Sequence, residues 1–75
     1  MKTYANINGN SGVTAYKPGS KSIIVQFNNN TTYKYTYKSA GKAVVEKMKI
    51  LAKNGRGLST YISREVKDNY ETKIK

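Results

Sequence analysis

Residues 27–39 read FNNNTTYKYTYKS, three consecutive asparagines followed by tyrosines that alternate with lysine or threonine. Alternation of apolar with polar residues is typical of a β-strand that buries one of its faces. The residues just before, SIIVQF from 22 to 27, also have the composition of a strand. The two segments therefore predict an antiparallel hairpin that is closed by the asparagines.

The hydrophobic pattern selects the length of the asparagine loop, because paired residues on antiparallel strands share a face. A two-residue loop sets Val25 opposite Lys34 and so mixes apolar with charged side chains. A three-residue loop over 28–30 pairs Val25 with Tyr33, and this length usually places one residue in the left-handed region. Asparagine tolerates that region better than other non-glycine residues, so we expect Asn30 there. The same register sets Phe27 opposite Thr31 and Ile23 opposite Tyr35.

The predicted hairpin has one apolar and one polar face. The apolar face carries Ile23, Val25, Phe27, Tyr33, Tyr35 and Tyr37, and the polar face carries Thr32, Lys34, Thr36 and Lys38. An aromatic row at strand spacing is more often half of a core than a platform for stacking bases, so we interpret the tyrosines as core. Residues 13–16 predict a third strand, which is connected by a type II turn at residues 17–20. Its register with the second strand is left open.

Residues 40–55, AGKAVVEKMKILAKNG, predict an amphipathic helix that covers the apolar face of the sheet. Ser39 is the expected N-cap, and Gly55 is expected to end the helix in the left-handed conformation. At 100° per residue the apolar side of this helix consists of Val44, Val45, Met48, Leu51 and Ala52. Ser59 is expected to begin a short second helix that packs Tyr61, Ile62 and Val66 on the edge of the sheet.

These elements define the predicted fold class. The chain is one α+β domain over residues 1–75, with a three-stranded antiparallel β-meander, one main α-helix packed on one face and a short C-terminal helix. Residues 1–11 and 71–75 are expected to be flexible ends.

The charge balance points to an anionic partner. The chain has fourteen Lys and Arg residues but only four Asp and Glu residues, for a net charge of +10. The positive electrostatic field of such a chain concentrates polyanions near its surface. The helical spacing places Lys38, Lys42, Lys49 and Lys53 in one stripe, with Glu46 as its single acid. Together with Lys34 and Arg56, they are the candidate nucleic-acid-binding residues. An ordinary solvated helix face explains the same stripe, and Gly55-Arg56-Gly57 fits either an anion-binding nest or a tight connector.

The sequence lacks the residue types and motifs that several classes of function require. The chain has no His and no Cys, and therefore no group that titrates near neutral pH, no thiolate and no disulfide. No motif of nucleophilic catalysis or of a phosphate-binding loop is present. We therefore expect no enzyme activity, no metal, no cofactor and no small-molecule substrate. The absence of a long apolar segment and of cysteine favours a cytoplasmic protein without a membrane partner.

The pattern of these segments resembles the KTSC domain. It comprises Tyr16, the strand from Ile23 to Phe27, the asparagine turn, Tyr33-Lys34-Tyr35, and Asn54-Gly55-Arg56-Gly57 with Ile62 beyond. The resemblance covers about residues 12–70, and the family occurs as small bacterial proteins and at the C-terminus of some lysyl-tRNA synthetases. It implies a nucleic-acid role, with RNA as the suggested ligand, and no chemistry.

Two functions follow as expectations. The first is a small non-catalytic module that binds RNA or DNA through phosphate contacts with weak sequence specificity, since no constellation for reading bases is apparent. The alternative is a protein-interaction module with no nucleic-acid role, which docks on an acidic partner or adds a strand at the edge of the sheet.

Overall fold

The structure, a computed structural model, describes residues 1–5, 12–28 and 30–74. Its strands are β1 (Lys2–Thr3), β2 (Val13–Pro18), β3 (Ser22–Phe27), β4 (Thr32–Thr36) and β5 (Thr72–Lys73). Its helices are α1 (Tyr37–Ala40), α2 (Lys42–Asn54) and α3 (Leu58–Tyr61), the last of which continues into a π-helical segment, Ile62–Val66. No helix among the described residues is both long and apolar enough to cross a membrane.

The five strands form one antiparallel sheet in the order β1-β2-β3-β4-β5. The predicted α+β class with an antiparallel sheet is confirmed, but the predicted number of three strands is wrong. Both additional strands come from the segments that we expected to be flexible ends. Each has only two residues, which is too short to show the alternation by which a strand is recognised in a sequence. Backbone bonds to β4 hold the C-terminal one: the Glu71 N–H donates to the Lys34 carbonyl and the Ile74 N–H to the Thr32 carbonyl, both at 2.7 Å.

The register of the central hairpin is the predicted one. Val25 lies opposite Tyr33 and Ile23 opposite Tyr35. The Phe27 N–H donates to the Thr31 carbonyl at 2.8 Å, which closes the loop. Asn30 has a φ of 66°, as predicted for the left-handed position. Position 29, the centre of the predicted loop, lies outside the described residues.

The first turn differs from the predicted type II turn. Pro18 is the last residue of β2 and pairs with Ile23, so it lies in the strand and not at the corner of the turn. Gly19 does not have a positive φ, and its N–H closes the connection by donating to the Ser22 carbonyl at 2.8 Å. In a type II turn, proline and glycine occupy the two central positions. Here the strand pairing continues through Pro18, so the turn begins after this residue. The same pairing sets Tyr16 opposite Val25, which resolves the register left open above.

The start of the helical region also differs from the prediction. Thr36, not Ser39, is the N-cap of α1: its Oγ1 accepts the Ser39 N–H at 3.1 Å, and the Ser39 hydroxyl accepts the Thr36 N–H at 3.0 Å. This reciprocal pair ends β4 one residue before Tyr37 and takes that tyrosine off the sheet. Gly41, with φ 97° and ψ 148°, then separates α1 from α2. At the other end of α2, Gly55 has the predicted left-handed conformation, with φ 74°.

The core lies between one face of the sheet and the helices. The sheet contributes Val13, Tyr16, Ile23, Val25 and Tyr35, the helical segments contribute Val45, Met48, Ala52, Leu58, Ile62 and Val66, and the N-terminal segment contributes Tyr4. Burial, with added repulsion from Tyr33 and Tyr70, raises the pKa of Tyr35 to about 12. Tyr33 is half-buried, and its ring already contacts Tyr70 at 4.4 Å and Phe27 at 5.8 Å between centroids. These contacts agree with the interpretation of the β4 tyrosines as core.

Candidate nucleic-acid interface

The six candidate residues lie on several elements. Lys42, Lys49 and Lys53 lie on α2, Lys34 on β4, Lys38 on α1, and Arg56 in the connector between α2 and α3. Lys38, Lys42, Lys53 and Arg56 are exposed, whereas Lys34 and Lys49 are half-buried. The predicted single stripe is therefore divided, and each of its parts has its own surroundings.

Lys38 is separated from the stripe in which the sequence placed it. Helical spacing aligns side chains only within one continuous helix, and Gly41 interrupts the helix between Lys38 and Lys42. Lys38 instead lines a surface cavity together with Lys34. This is a correction of the predicted stripe, because the periodicity was carried across a helix break that the sequence pattern did not show.

Lys49 is in the predicted stripe but is already paired. Its Nζ lies 2.9 Å from Oε2 of Glu46 and 3.3 Å from the Ser20 carbonyl oxygen, and it lies 5.8 Å from the centroid of the Tyr37 ring. The side chain of Lys49 is only 19% exposed. The Lys49 ammonium group therefore connects the turn between β2 and β3 to α2. It is less available to a ligand than an exposed lysine without a partner.

Glu46 stays charged near neutral pH. A hydrogen bond from the Tyr37 hydroxyl, and then one from Lys49, lower the pKa of this carboxyl, and the charges of Lys49 and Lys42 add to the effect. The same hydrogen bond raises the pKa of the Tyr37 phenol. Lys49–Glu46 is the one ion pair among the described residues. Lys42, Lys53 and Arg56 thus have no acidic partner within ion-pair distance in the part of the chain that the structure describes.

Lys42, Lys53 and Arg56, the cations without an acidic partner among the described residues, form a row along α2 and just beyond its end, the α2 ridge. Lys42 and Lys53 are eleven residues apart on one helix, which corresponds to about 16 Å at a rise of about 1.5 Å per residue. Arg56 follows after the left-handed Gly55. A ridge of this length can contact several phosphates of an extended or helical backbone. Such contacts bind a polyanion without reading its sequence.

A surface cavity lies beside β4, between the turn that precedes β3, the start of α1 and the C-terminal segment. It has a volume of about 310 Å³ and is lined by Ser20, Lys21, Ser22, Lys34, Thr36, Tyr37, Lys38 and Glu71. Ser22 pairs with Thr36 and Ile24 with Lys34, one position out of phase with the buried Ile23 and Val25. The side chains of the first set therefore point away from the core. The cavity brings three lysines together with one glutamate.

Lys21 was missed by the sequence reasoning, although a signal for it was present. Extending the predicted register beyond the pair Ile23–Tyr35 brings Lys21 next to Tyr37. The structure shows this neighbourhood, since the Tyr37 N–H donates to the Lys21 carbonyl at 3.1 Å. Glu71 was missed because the C-terminal segment was not expected to pair with β4.

The arrangement offers positive charge and hydrogen-bond donors to an anion. Among the residues that the structure describes, no group of three or more His, Cys, Asp or Glu side chains is placed to hold a metal ion. Comparisons of the chain with models of protein families, with curated proteins and with solved structures each give no match. The resemblance to the KTSC domain therefore stays a prediction.

Proposed function

We propose that this protein is a small non-catalytic module that binds RNA or DNA through contacts between its cations and the phosphate backbone. The observation that carries the proposal is that four of the six candidate cations, Lys38, Lys42, Lys53 and Arg56, are exposed and have no acidic partner among the residues that the structure describes. The chain has fourteen basic and four acidic residues, and this imbalance makes the electrostatic potential around these cations positive. The resemblance to the KTSC domain supports the same class of partner.

We expect binding to depend only weakly on the base sequence of the nucleic acid. Lysine ammonium groups meet phosphate oxygens as point charges, whereas reading of bases relies on bidentate Arg, Asn or Gln side chains at base edges. Three of the four unpaired candidates named above are lysines. A polyanion with regular phosphate spacing is therefore the expected ligand, and its sequence is expected to matter little.

The dependence of affinity on salt concentration tests whether the protein binds through phosphate contacts. About five phosphate contacts on duplex DNA give a slope of about −4.5 for the logarithm of affinity against the logarithm of salt concentration, so affinity falls about 500-fold between about 50 and 200 mM salt. We propose to measure it by fluorescence anisotropy with a labelled single-stranded RNA and a labelled DNA duplex. Binding that does not depend on salt, or no binding to either probe, contradicts the proposal.

A matched pair of double variants separates a localised site from net charge alone. Lys42→Glu with Lys53→Glu reverses two cations of the α2 ridge. Lys47→Glu with Arg64→Glu makes the same change in charge at exposed positions outside the proposed contacts. We expect at least a tenfold larger loss of affinity for the first variant, and equal losses contradict the placement of the site. Lys49→Gln is expected to have a smaller effect than Lys42→Gln because Lys49 is already paired.

The protein-interaction alternative has two forms. Strand addition needs an extended edge with unpaired backbone groups, whereas the edge strands β1 and β5 have two residues each, and short edges are a common way to prevent such pairing. Docking on an acidic protein uses the same cations as the proposed function. An acidic peptide in place of the oligonucleotide tests that form, and tighter binding of the peptide at equal ionic strength favours it.

A further inference from the structure

The cavity beside β4 has a donor set that the α2 ridge lacks. We propose that it is a site for one phosphate group, held by Lys21, Lys34 and Lys38, and that the Glu71 carboxylate is an internal competitor for the same place. The inference rests on the proposed function in so far as the phosphate belongs to a nucleic-acid backbone. A free phosphate has the same chemistry, and the experiment below distinguishes these two sources.

The charge of the cavity favours an anion. Its three lysines come from three different elements, namely the turn before β3, the strand β4 and the helix α1. One carboxylate, Glu71, lies among them. Among the described residues Glu71 makes no ion pair, since the only pair found is Lys49–Glu46. Lys21, Lys34 and Lys38 thus line one cavity, and none of them makes an ion pair among the described residues, so a phosphate can neutralise their charges.

Thr36 presents a hydroxyl proton to the cavity. Its Oγ1 accepts the Ser39 N–H as the N-cap of α1, at 3.1 Å. The hydroxyl donates its own proton to Oε1 of Glu71 at 2.9 Å. Because the cap fixes the oxygen from the helix side, the proton is directed toward the acid on the cavity side. A phosphate oxygen is an acceptor like a carboxylate oxygen, so it can replace Glu71 on the same donor.

Glu71 can leave this position without unfolding β5. Its backbone is held through its N–H, which donates to the Lys34 carbonyl at 2.7 Å. Its side chain is exposed, and the bond that it accepts from Thr36 is at the surface. A rotation of the side chain is therefore sufficient to clear the cavity, while the pairing of the strand remains. Glu71 then weakens phosphate binding by like-charge repulsion and by occupying the Thr36 hydroxyl.

The decisive variant is Glu71→Gln. It removes the negative charge and keeps the shape of the side chain, and the loss of about 1 kcal/mol of repulsion at about 4 Å in a watery setting corresponds to about fivefold tighter binding. Glu65→Gln is the matched control, since it removes the same charge from an exposed position on the π-helical segment outside the cavity. For this control we expect less than a twofold change.

The experiment is an amide chemical-shift titration of the full chain with two probes, inorganic phosphate and a 12-nucleotide oligouridylate, at constant ionic strength maintained with sodium chloride. We expect both probes to shift the amides of Lys21, Thr36 and Lys38, and both to bind Glu71→Gln about fivefold more tightly. Lys34→Gln with Lys38→Gln is expected to weaken both probes at least fivefold more than Lys47→Gln with Arg64→Gln.

The outcomes separate the two proposals. If the oligonucleotide binds but the cavity amides do not shift, and Glu71→Gln behaves like Glu65→Gln, the phosphate site is wrong and the proposed function stands. If phosphate shifts the cavity amides and responds to Glu71→Gln while the oligonucleotide does not bind, the site stands for a free phosphate and the proposed function is wrong. If neither probe binds, both are wrong.

Discussion

The Tyr37 hydroxyl donates a hydrogen bond to Oε2 of Glu46 at 2.5 Å, and this bond connects α1 to α2 across the interruption at Gly41. The same carboxylate oxygen accepts a hydrogen bond from Lys49 at 2.9 Å. Lys49 and Tyr37 both reach the Ser20 carbonyl, each at 3.3 Å. The only acid of the predicted lysine stripe therefore joins the two helices to the first turn.

The first prediction concerns the pH dependence of stability through Glu46. Its folded pKa lies below the ordinary value of 4.5, so its charge contributes stability above that pH, and the contribution is lost as the pH falls through the folded pKa. We expect Glu46→Gln to unfold at a lower urea concentration than the original protein at about pH 7, and the difference to shrink at about pH 3.5. Glu65→Gln is the control, and an equal difference at the two pH values for Glu46→Gln contradicts the prediction.

The second prediction concerns the backbone at Asn30. Its φ of 66° lies in the left-handed region, which costs most L-residues about 1–2 kcal/mol and asparagine less. We expect Asn30→Ala to lower the free energy of unfolding by about 1 kcal/mol and Asn30→Gly to retain it, as measured by urea denaturation. Asn28→Ala, at an exposed position in the same loop without a positive φ, is the control. A loss for Asn30→Ala no larger than that for the control shows that the left-handed position is not decisive.

The third prediction concerns Tyr4, which lies in a segment that we expected to be flexible. Tyr4 is 3% exposed, and its hydroxyl oxygen accepts the Leu58 N–H at 3.3 Å. Leu58 is the first residue of α3, where an N–H has no partner within the helix. We expect Tyr4→Phe to lower the free energy of unfolding by about 1–3 kcal/mol, because a buried donor loses its acceptor.

The control for this prediction is Tyr61→Phe, which removes a hydroxyl from a half-buried tyrosine on α3. Hydrogen exchange gives a local readout, since the Leu58 amide is expected to exchange faster in Tyr4→Phe. Unchanged stability together with unchanged exchange at Leu58 contradicts the anchoring role of Tyr4.

The candidate site was predictable where its residues lie on one continuous element. Lys42 and Lys53 share a side of α2 because both lie within the same helix. Lys38 was assigned to this side wrongly, since the Thr36 cap and Gly41 begin and end a separate helix. The pairing of Lys49 with Glu46 was not foreseen, although a separation of three residues on a helix allows it.

The sequence by itself determined the central hairpin, because alternation and the tolerance of asparagine for a positive φ are local properties. The register of β3 with β4 and the conformation of Asn30 follow from them. Only the tertiary structure decided that Lys2–Thr3 and Thr72–Lys73 extend the sheet, and that Lys38 and Glu71 line one cavity beside β4. A two-residue strand is stabilised by the backbone groups of a distant partner, so its own side chains carry no periodic signal of the pairing.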